Sequence, residues 1–452
     1  MTVDPARVSE LTRRERAEFD ARHPASRAAW TVGRRHLVGG VPMTWMLKAA
    51  GGFPVFLDAA RGARLRDIDG HDYVDFCLGD TGAMAGHSPQ PVIDAVRRRM
   101  DELGGTTAML PTEDAAWVAE ELAARFGVHR WSFSLTATDA NRWMIRIARQ
   151  ITRRPKVLVF SYCYHGSVDE SFVVAGDDGK VVSRDGNVGA PVDPALTTRV
   201  VEFNDADALA RELANHDVAC VLMEPALTNI GIVLPEPGFL DDVRRLTRET
   251  GTLLAIDETH TFSAGWGGAT TEWGLTPDAV TIGKAIGGGI PIGAYGLTDE
   301  LADRLLADRS ADIVDTGGVG GTLAGNALSL TAARATLEHV LTPTAFAHMT
   351  SLAERFTAGV QDAIDRHSLA WSVIRLGART EYRFTSPPPR SGGESAAAAV
   401  PELDELLHLY AANRGILMTP FHNMALMCPA TTVADVDLHT EVFGAALARL
   451  VS

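Results

Sequence analysis

Apolar residues in this chain follow two rhythms. Between about residues 90 and 330, short and continuously apolar runs (Val157–Phe160, Ala219–Met223, Leu253–Ile256 and Ala279–Ile282) are bounded by polar residues or glycine. Such runs suit strands of a parallel sheet buried on both faces. The segments between them, Gly238–Thr250 for example, carry apolar residues at helical spacing. Strands alternating with helices predict βαβ units and an α/β fold. Ahead of this region, residues 5–22 read as a charged, exposed helix. Residues 55–77 read as β structure turning at Asp69-Gly70. Beyond it, a helix over Thr331–Val340 leads into a second unit containing the low-complexity stretch Ser391–Ala399, expected to be a flexible loop. The organisation expected is a large, mostly parallel α/β domain over 86–335 and a smaller α+β domain over 336–452. An N-terminal segment, 1–85, is expected to contribute to the small domain and the site entrance.

Composition narrows the function. With 452 residues, 46% hydrophobic and 22% charged, the chain is an ordinary soluble globular protein. Its formal charge of −15 argues against nucleic acid as a partner, because such proteins present a basic face. The four cysteines, Cys77, Cys163, Cys220 and Cys428, are far apart and form no C-x-x-C pair. Neither a zinc site nor a disulfide framework is expected, and a reducing cytoplasm is the expected setting. The N-terminal stretch lacks the apolar core of a secretory signal, and no apolar run reaches the about 18 residues of a membrane span.

Candidate chemistry falls where the predicted strands end. In open α/β sheets, ligands bind beyond the carboxyl ends of the strands. Tyr164-His165-Gly166 follows one run, Glu224-Pro225 the next, then Asp257-Glu258, then Lys284 in TIGKAIGGGIPIGA. A lysine nucleophile needs a lowered pKa, which burial supplies, and glycines beside it let the backbone approach a ligand. Taken alone, Lys284 also reads as a surface lysine beside a turn. Asp257 suits the protonated nitrogen of a pyridine ring, but also a turn or helix cap. Thr136, Ala137 and Thr138 stand at a loop opening a helix, where free N–H groups bind phosphate. Capping by Thr138 or Asp139 explains that pattern equally.

Taken in order, the stretches GARLRDIDGHDYVDF, GAMAGH, LTATDAN, YCYHG, EPALTNIG, LLAIDETHTF, IGKAIGGGIPIGA, GGTLAGN and RGILMTPF resemble the class III aminotransferases of pyridoxal 5′-phosphate (PLP) fold type I. Within that class they look most like the glutamate-1-semialdehyde 2,1-aminomutase branch. The resemblance implies PLP as cofactor, held by Lys284 as a Schiff base, with Lys284 also moving the proton. It further implies Asp257 on the ring nitrogen, Ala137 and Thr138 on the phosphate, and Tyr164 stacked on the ring beside His165 and Gly166. Glu224 and Asn229 would lie near the ring's 3′ oxygen. Thr322 would reach the phosphate of a neighbouring subunit, which implies a homodimer with shared active sites.

Departures from the branch fall in the substrate pocket. Trp45, by its spacing to Gly51-Gly52, stands where the branch carries a carboxylate-binding arginine. LGDTG (78–82) and Phe262-Ser263-Ala264 also differ from the branch. Arg379 and Arg383 are candidate replacements, since either could fork onto a carboxylate. They also read as a surface strand of alternating charge. His260 and His422 are further pocket candidates. The expected function is therefore amino transfer between an amino acid or amine and a keto acid. Alternatives are an intramolecular 2,1-aminomutase and a non-catalytic PLP-binding protein.

Overall fold

The four apolar runs are neighbouring strands of one seven-stranded sheet. This computed structural model describes residues 3–189, 192–307 and 318–452. In chain order the sheet comprises β1 (Arg130–Ser134), β2 (Lys156–Phe160), β3 (Thr198–Val201), β4 (Val218–Met223), β5 (Leu253–Asp257), β6 (Ala279–Ile282) and β7 (Gly293–Leu297). Their order across the sheet is β1-β7-β6-β5-β4-β2-β3. β7 runs antiparallel to both β6 and β1; all other pairings are parallel. Two antiparallel steps restore the direction, so six strands deliver their carboxyl ends to the same edge. β4, β5, β6 and β7 are buried at every residue. That is why their sequence is continuously apolar rather than alternating.

The described chain divides into two compact units. One comprises Met1–Pro89, Thr344–Pro388 and Ala398–Ser452; the other, which holds the large sheet, comprises Gln90–Pro343 and Pro389–Ala397. In the first unit a four-stranded sheet joins Leu57–Arg61, Arg64–Asp67, Asp72–Asp75 and Ile416–Leu417, and a three-stranded sheet joins Ser372–Leu376, Arg379–Arg383 and Met424–Leu426.

Three expectations are corrected. The helix Pro5–Arg22 forms, capped by Asp4, but it is not exposed throughout: Val8, Leu11, Glu15 and Phe19 are buried. Their spacing makes one apolar stripe that the surrounding charges obscure. The strand Arg379–Arg383 is buried at every residue rather than being a surface strand. Ser391–Ala399 is not a loop, because Gly392–Ala397 is helical. Ser395 Oγ donates to the Ile230 carbonyl over 2.5 Å, and a Cβ on Gly392 would stand 2.3 Å from the Ser161 carbonyl oxygen. Alanine is a strong helix former once such contacts fix the segment.

The core of the first unit holds an ionisable ring. His439 stacks on Phe356 with centroids 4.1 Å apart, and the rings of Phe76 and Phe443 lie 5.8 Å away. Its Nδ1 is buried with no hydrogen-bond partner among the described residues. Burial lowers its pKa to about 3. The folded state thus keeps the ring neutral while the unfolded chain takes up a proton below its ordinary pKa near 6.5. Stability is therefore full above that value and falls as the pH drops towards about 3, by up to about 1.4 kcal/mol per pH unit. His439→Phe is expected to flatten this slope and to hold or raise stability at pH 7, with urea unfolding at pH 5 and 7 as the check.

Candidate active site

The helix Ala137–Thr152 begins just past the end of β1. Thr136 is its N-cap, accepting from the Asp139 amide over 3.2 Å and donating to the Asp139 carboxylate over 3.0 Å. The cap is thus Thr136, not Thr138 or Asp139. The amides of Ala137 and Thr138 point from the first turn with no acceptor among the described residues, the arrangement that binds anions. Two glycines keep this place open. A Cβ on Gly283, just before Lys284, would stand 3.0 Å from the Ala137 amide nitrogen. A Cβ on Gly166 would stand 2.0 Å from Thr138 Oγ1 and 2.9 Å from its Cα, and Gly166 has φ +77. Thr138 Oγ1 also accepts from the Ser167 amide over 3.1 Å. We expect Gly166→Ala to cost about 2–4 kcal/mol, from left-handed backbone strain combined with a clash that side-chain rotation cannot relieve. Thermal unfolding measures this, and a spectroscopic PLP titration would show weaker binding.

Asp257 ends β5 and is buried. Its Oδ2 accepts from Asn141 Nδ2 over 2.8 Å and lies 2.9 Å from His165 Nδ1; its Oδ1 accepts from the Thr259 amide over 3.0 Å. Burial alone would raise the Asp257 pKa, but the bonds from His165 and Thr259 outweigh it and hold the group below the usual carboxylate range. Burial likewise favours a neutral His165, yet Cys163 and Asp257 beside it raise its pKa well above the ordinary value. Asp257 is thus a fixed negative charge. Its neighbour Glu258 is the opposite case, pushed up by burial although Thr261, Thr270 and the Ala269 amide donate to it. Two adjacent carboxyls with divergent pKa values mark separate roles: Asp257 carries charge, while Glu258 ties its turn to the helix Gly268–Glu272.

Lys284 follows β6 with φ +49, a left-handed conformation unusual for a residue with a side chain. Such strain persists where the surroundings enforce it, often at functional sites. Its Nζ lies 2.9 Å from His260 Nε2, in the turn after β5.

Of the other expected residues, Tyr164 lies after β2, edge-on to Phe172 with centroids 6.0 Å apart. Glu224 follows β4 and is buried, accepting from the Thr228 hydroxyl. Asn229 is half-buried in the loop closed by the Leu227–Val233 bridge. Thr322 is exposed. In the other unit, Trp45 packs against Phe421 at 5.7 Å, Arg379 is buried and donates to Thr81, and Arg383 lies 3.9 Å from the Glu381 carboxylate. Sequence reasoning missed Asn141 and Thr281. Thr281 Oγ1 donates to Asn141 Oδ1 over 2.6 Å, which turns the Asn141 amino group onto Asp257. Asn141 stands one helical turn after Ala137, on the face towards the sheet, and that spacing was the available signal.

One strand edge therefore offers an anion cradle, a buried carboxylate suited to a protonated ring nitrogen, and an amine. PLP presents the three complementary groups: a phosphate, a pyridine nitrogen and an aldehyde. The residues fit the cofactor, and sheet and site together define a PLP-dependent enzyme of fold type I. The chain belongs to the class III aminotransferase family, whose model matches residues 46–447. It is 35% identical over 426 residues to the glutamate-1-semialdehyde 2,1-aminomutase of Sorangium cellulosum, covering 92% of this chain and 94% of that one. Among solved structures it resembles a glutamate-1-semialdehyde-aminomutase from Pseudomonas aeruginosa, with a TM-score of 0.96 and 47% identity over the full length of both chains. A lysine-to-alanine variant described for that protein is in complex with PMP. An omega-transaminase from Sphaerobacter thermophilus is more distant, with a TM-score of 0.85 and 28% identity, covering 96% of this chain and all of that one.

Proposed function

We propose that this protein is a PLP-dependent 2,1-aminomutase, which moves an amino group between adjacent carbons of one small amino-carbonyl substrate. The observation that carries it is the convergence of Lys284, Asp257 and the Ala137–Thr138 amides at one strand edge, tied together through Asn141. The sequence alone places intermolecular transfer first. The high identity to glutamate-1-semialdehyde aminomutases favours the intramolecular reaction.

The cofactor, when bound, supplies the electron sink that stabilises a carbanion at the substrate carbon. The protein's own residues do the rest. The Ala137 and Thr138 amides and the Thr138 hydroxyl hold the phosphate. Asp257, kept ionised by His165 and Thr259, fixes the ring nitrogen in its protonated form. Tyr164 would stack on the ring, and Glu224 and Asn229 would lie near its 3′ oxygen. Lys284 would hold the cofactor covalently, and its amine would take up and return a proton at the substrate carbons. The working assembly is a homodimer in which Thr322 completes the phosphate site across the interface. No helix among the described residues is long and apolar enough to cross a membrane, and the four free cysteines suit a cytoplasmic setting.

Trp45 favours a second reading, intermolecular transamination. Because tryptophan cannot fork onto a carboxylate, the substrate's acid group would be held elsewhere, with Arg379 and Arg383 as candidates. Incubating the PLP-loaded enzyme with glutamate-1-semialdehyde and no second carbonyl compound separates the two. The proposal expects continuous turnover to 5-aminolevulinate. Turnover that appears only on adding a keto acid would overturn it in favour of the transaminase.

A further inference from the structure

Lys284 does not stand alone at its strand end. His260 Nε2 lies 2.9 Å from its Nζ, and the turn carrying His260 is fixed at several points. The Thr259 amide donates to Asp257 over 3.0 Å, and Thr261 Oγ1 donates to Glu258 over 2.6 Å. The Phe262 amide donates to the Glu258 carbonyl over 2.8 Å, and Ser263 Oγ donates to the His260 carbonyl over 3.0 Å. Lys284 is held at the other side in a left-handed conformation. His260 is nearly fully buried, 5% exposed. The contact is therefore a fixed pairing of two basic nitrogens, not a passing approach of two flexible side chains.

Nitrogens at this distance are joined by one hydrogen bond, along which a proton on one can pass to the other. We infer that His260 is a second catalytic residue, a proton carrier that works with Lys284. The inference rests on the proposed amino-transfer function. When the proton leaves the substrate carbon it arrives on Lys284 Nζ, which becomes an ammonium. It then crosses the hydrogen bond to His260 Nε2: the N–H bond on Lys284 breaks, the N–H bond on His260 forms, and the lysine is left neutral with its lone pair free. The reverse transfer returns the proton when the next carbon is ready for it. A neutral His260 accepts in the first step and an imidazolium donates in the second, so no further acid or base is required. Histidine suits this task because its ordinary pKa lies near neutrality.

The test is single-turnover conversion of glutamate-1-semialdehyde by the PLP-loaded enzyme, followed through the visible band of the cofactor. His260→Ala is expected to bind PLP with an intact band, yet to convert about 10²-fold more slowly, within the range of general acid–base catalysis. Added imidazole should restore the rate in proportion to its concentration, while leaving the wild type unchanged. A wild-type rate in the variant overturns the inference, as does a slow rate that imidazole does not restore, since that would mark a packing role. If His260→Ala fails to fold or to hold PLP, His260→Gln decides. Glutamine keeps a polar side chain of similar reach but cannot take up a proton, so the same loss is expected, and a wild-type rate would overturn the inference. If the wild type itself does not convert glutamate-1-semialdehyde, the proposed function fails and His260 loses its role with it. If the wild type converts and the variants match it, only the inference falls.

Discussion

Lys284→Ala is expected to abolish the visible absorbance of the covalently held cofactor and to lower turnover by at least about 10³-fold, because the proposed function gives this one side chain the parts of both nucleophile and proton carrier. The fold should survive. Lys284 is only half-buried, and the glycines around it, not its side chain, shape the loop. The phosphate cradle and Asp257 lie outside the substitution, so the variant should still bind cofactor non-covalently. Absorbance and steady-state rates on the same preparation provide the check. A variant that kept the wild-type band would mean that another amine holds the cofactor.

Asp257→Asn should be almost as severe at the level of chemistry, lowering turnover by about 10³-fold through loss of the fixed negative charge proposed to face the ring nitrogen. The substitution is nearly isosteric, but the hydrogen bonds are not symmetric. Asn141 and His165 both face Oδ2, while the Thr259 amide donates to Oδ1. An asparagine oxygen can serve only one of these sides. The amide group must then face a donor, and a buried hydrogen bond is lost at a cost of about 1–3 kcal/mol. His165 would also lose the anion that raises its pKa. Thermal unfolding should show the modest destabilisation and kcat the large loss, with substrate affinity changed far less. A kcat within tenfold of the wild type would show that Asp257 does not set the electronics of the site.

Much of this site was legible because its parts lie at strand ends. Continuous apolar runs identify strands buried on both faces, and the polar residue that ends each run is carried to the same sheet edge by the parallel order. Lys284, Asp257, Glu224 and His165 follow from that logic without knowledge of any pairing. What the sequence could not show were contacts between side chains from separate elements. Asn141 and Thr281 lie 140 residues apart and meet only because β6 packs beneath the helix that begins at Ala137. The His260–Lys284 contact depends on the exact course of one turn. The alternating charges of Arg379, Glu381 and Arg383 suggested a surface strand. The strand is nonetheless buried, with Arg379 donating to Thr81 and Arg383 lying 3.9 Å from the Glu381 carboxylate. Buried charge with partners reads as exposed charge when the partners lie far off in sequence.

The proposed function makes Lys284 the residue that holds PLP. The chain contains four lysines, Lys48, Lys156, Lys180 and Lys284, so the claim can be read directly. The purified protein is loaded with PLP, reduced with borohydride to fix any lysine link, digested and mapped by mass spectrometry. One pyridoxyl group per chain is expected, on the peptide carrying Lys284. A pyridoxyl group on Lys48, Lys156 or Lys180 with Lys284 unmodified, or no adduct at saturating PLP, would contradict it.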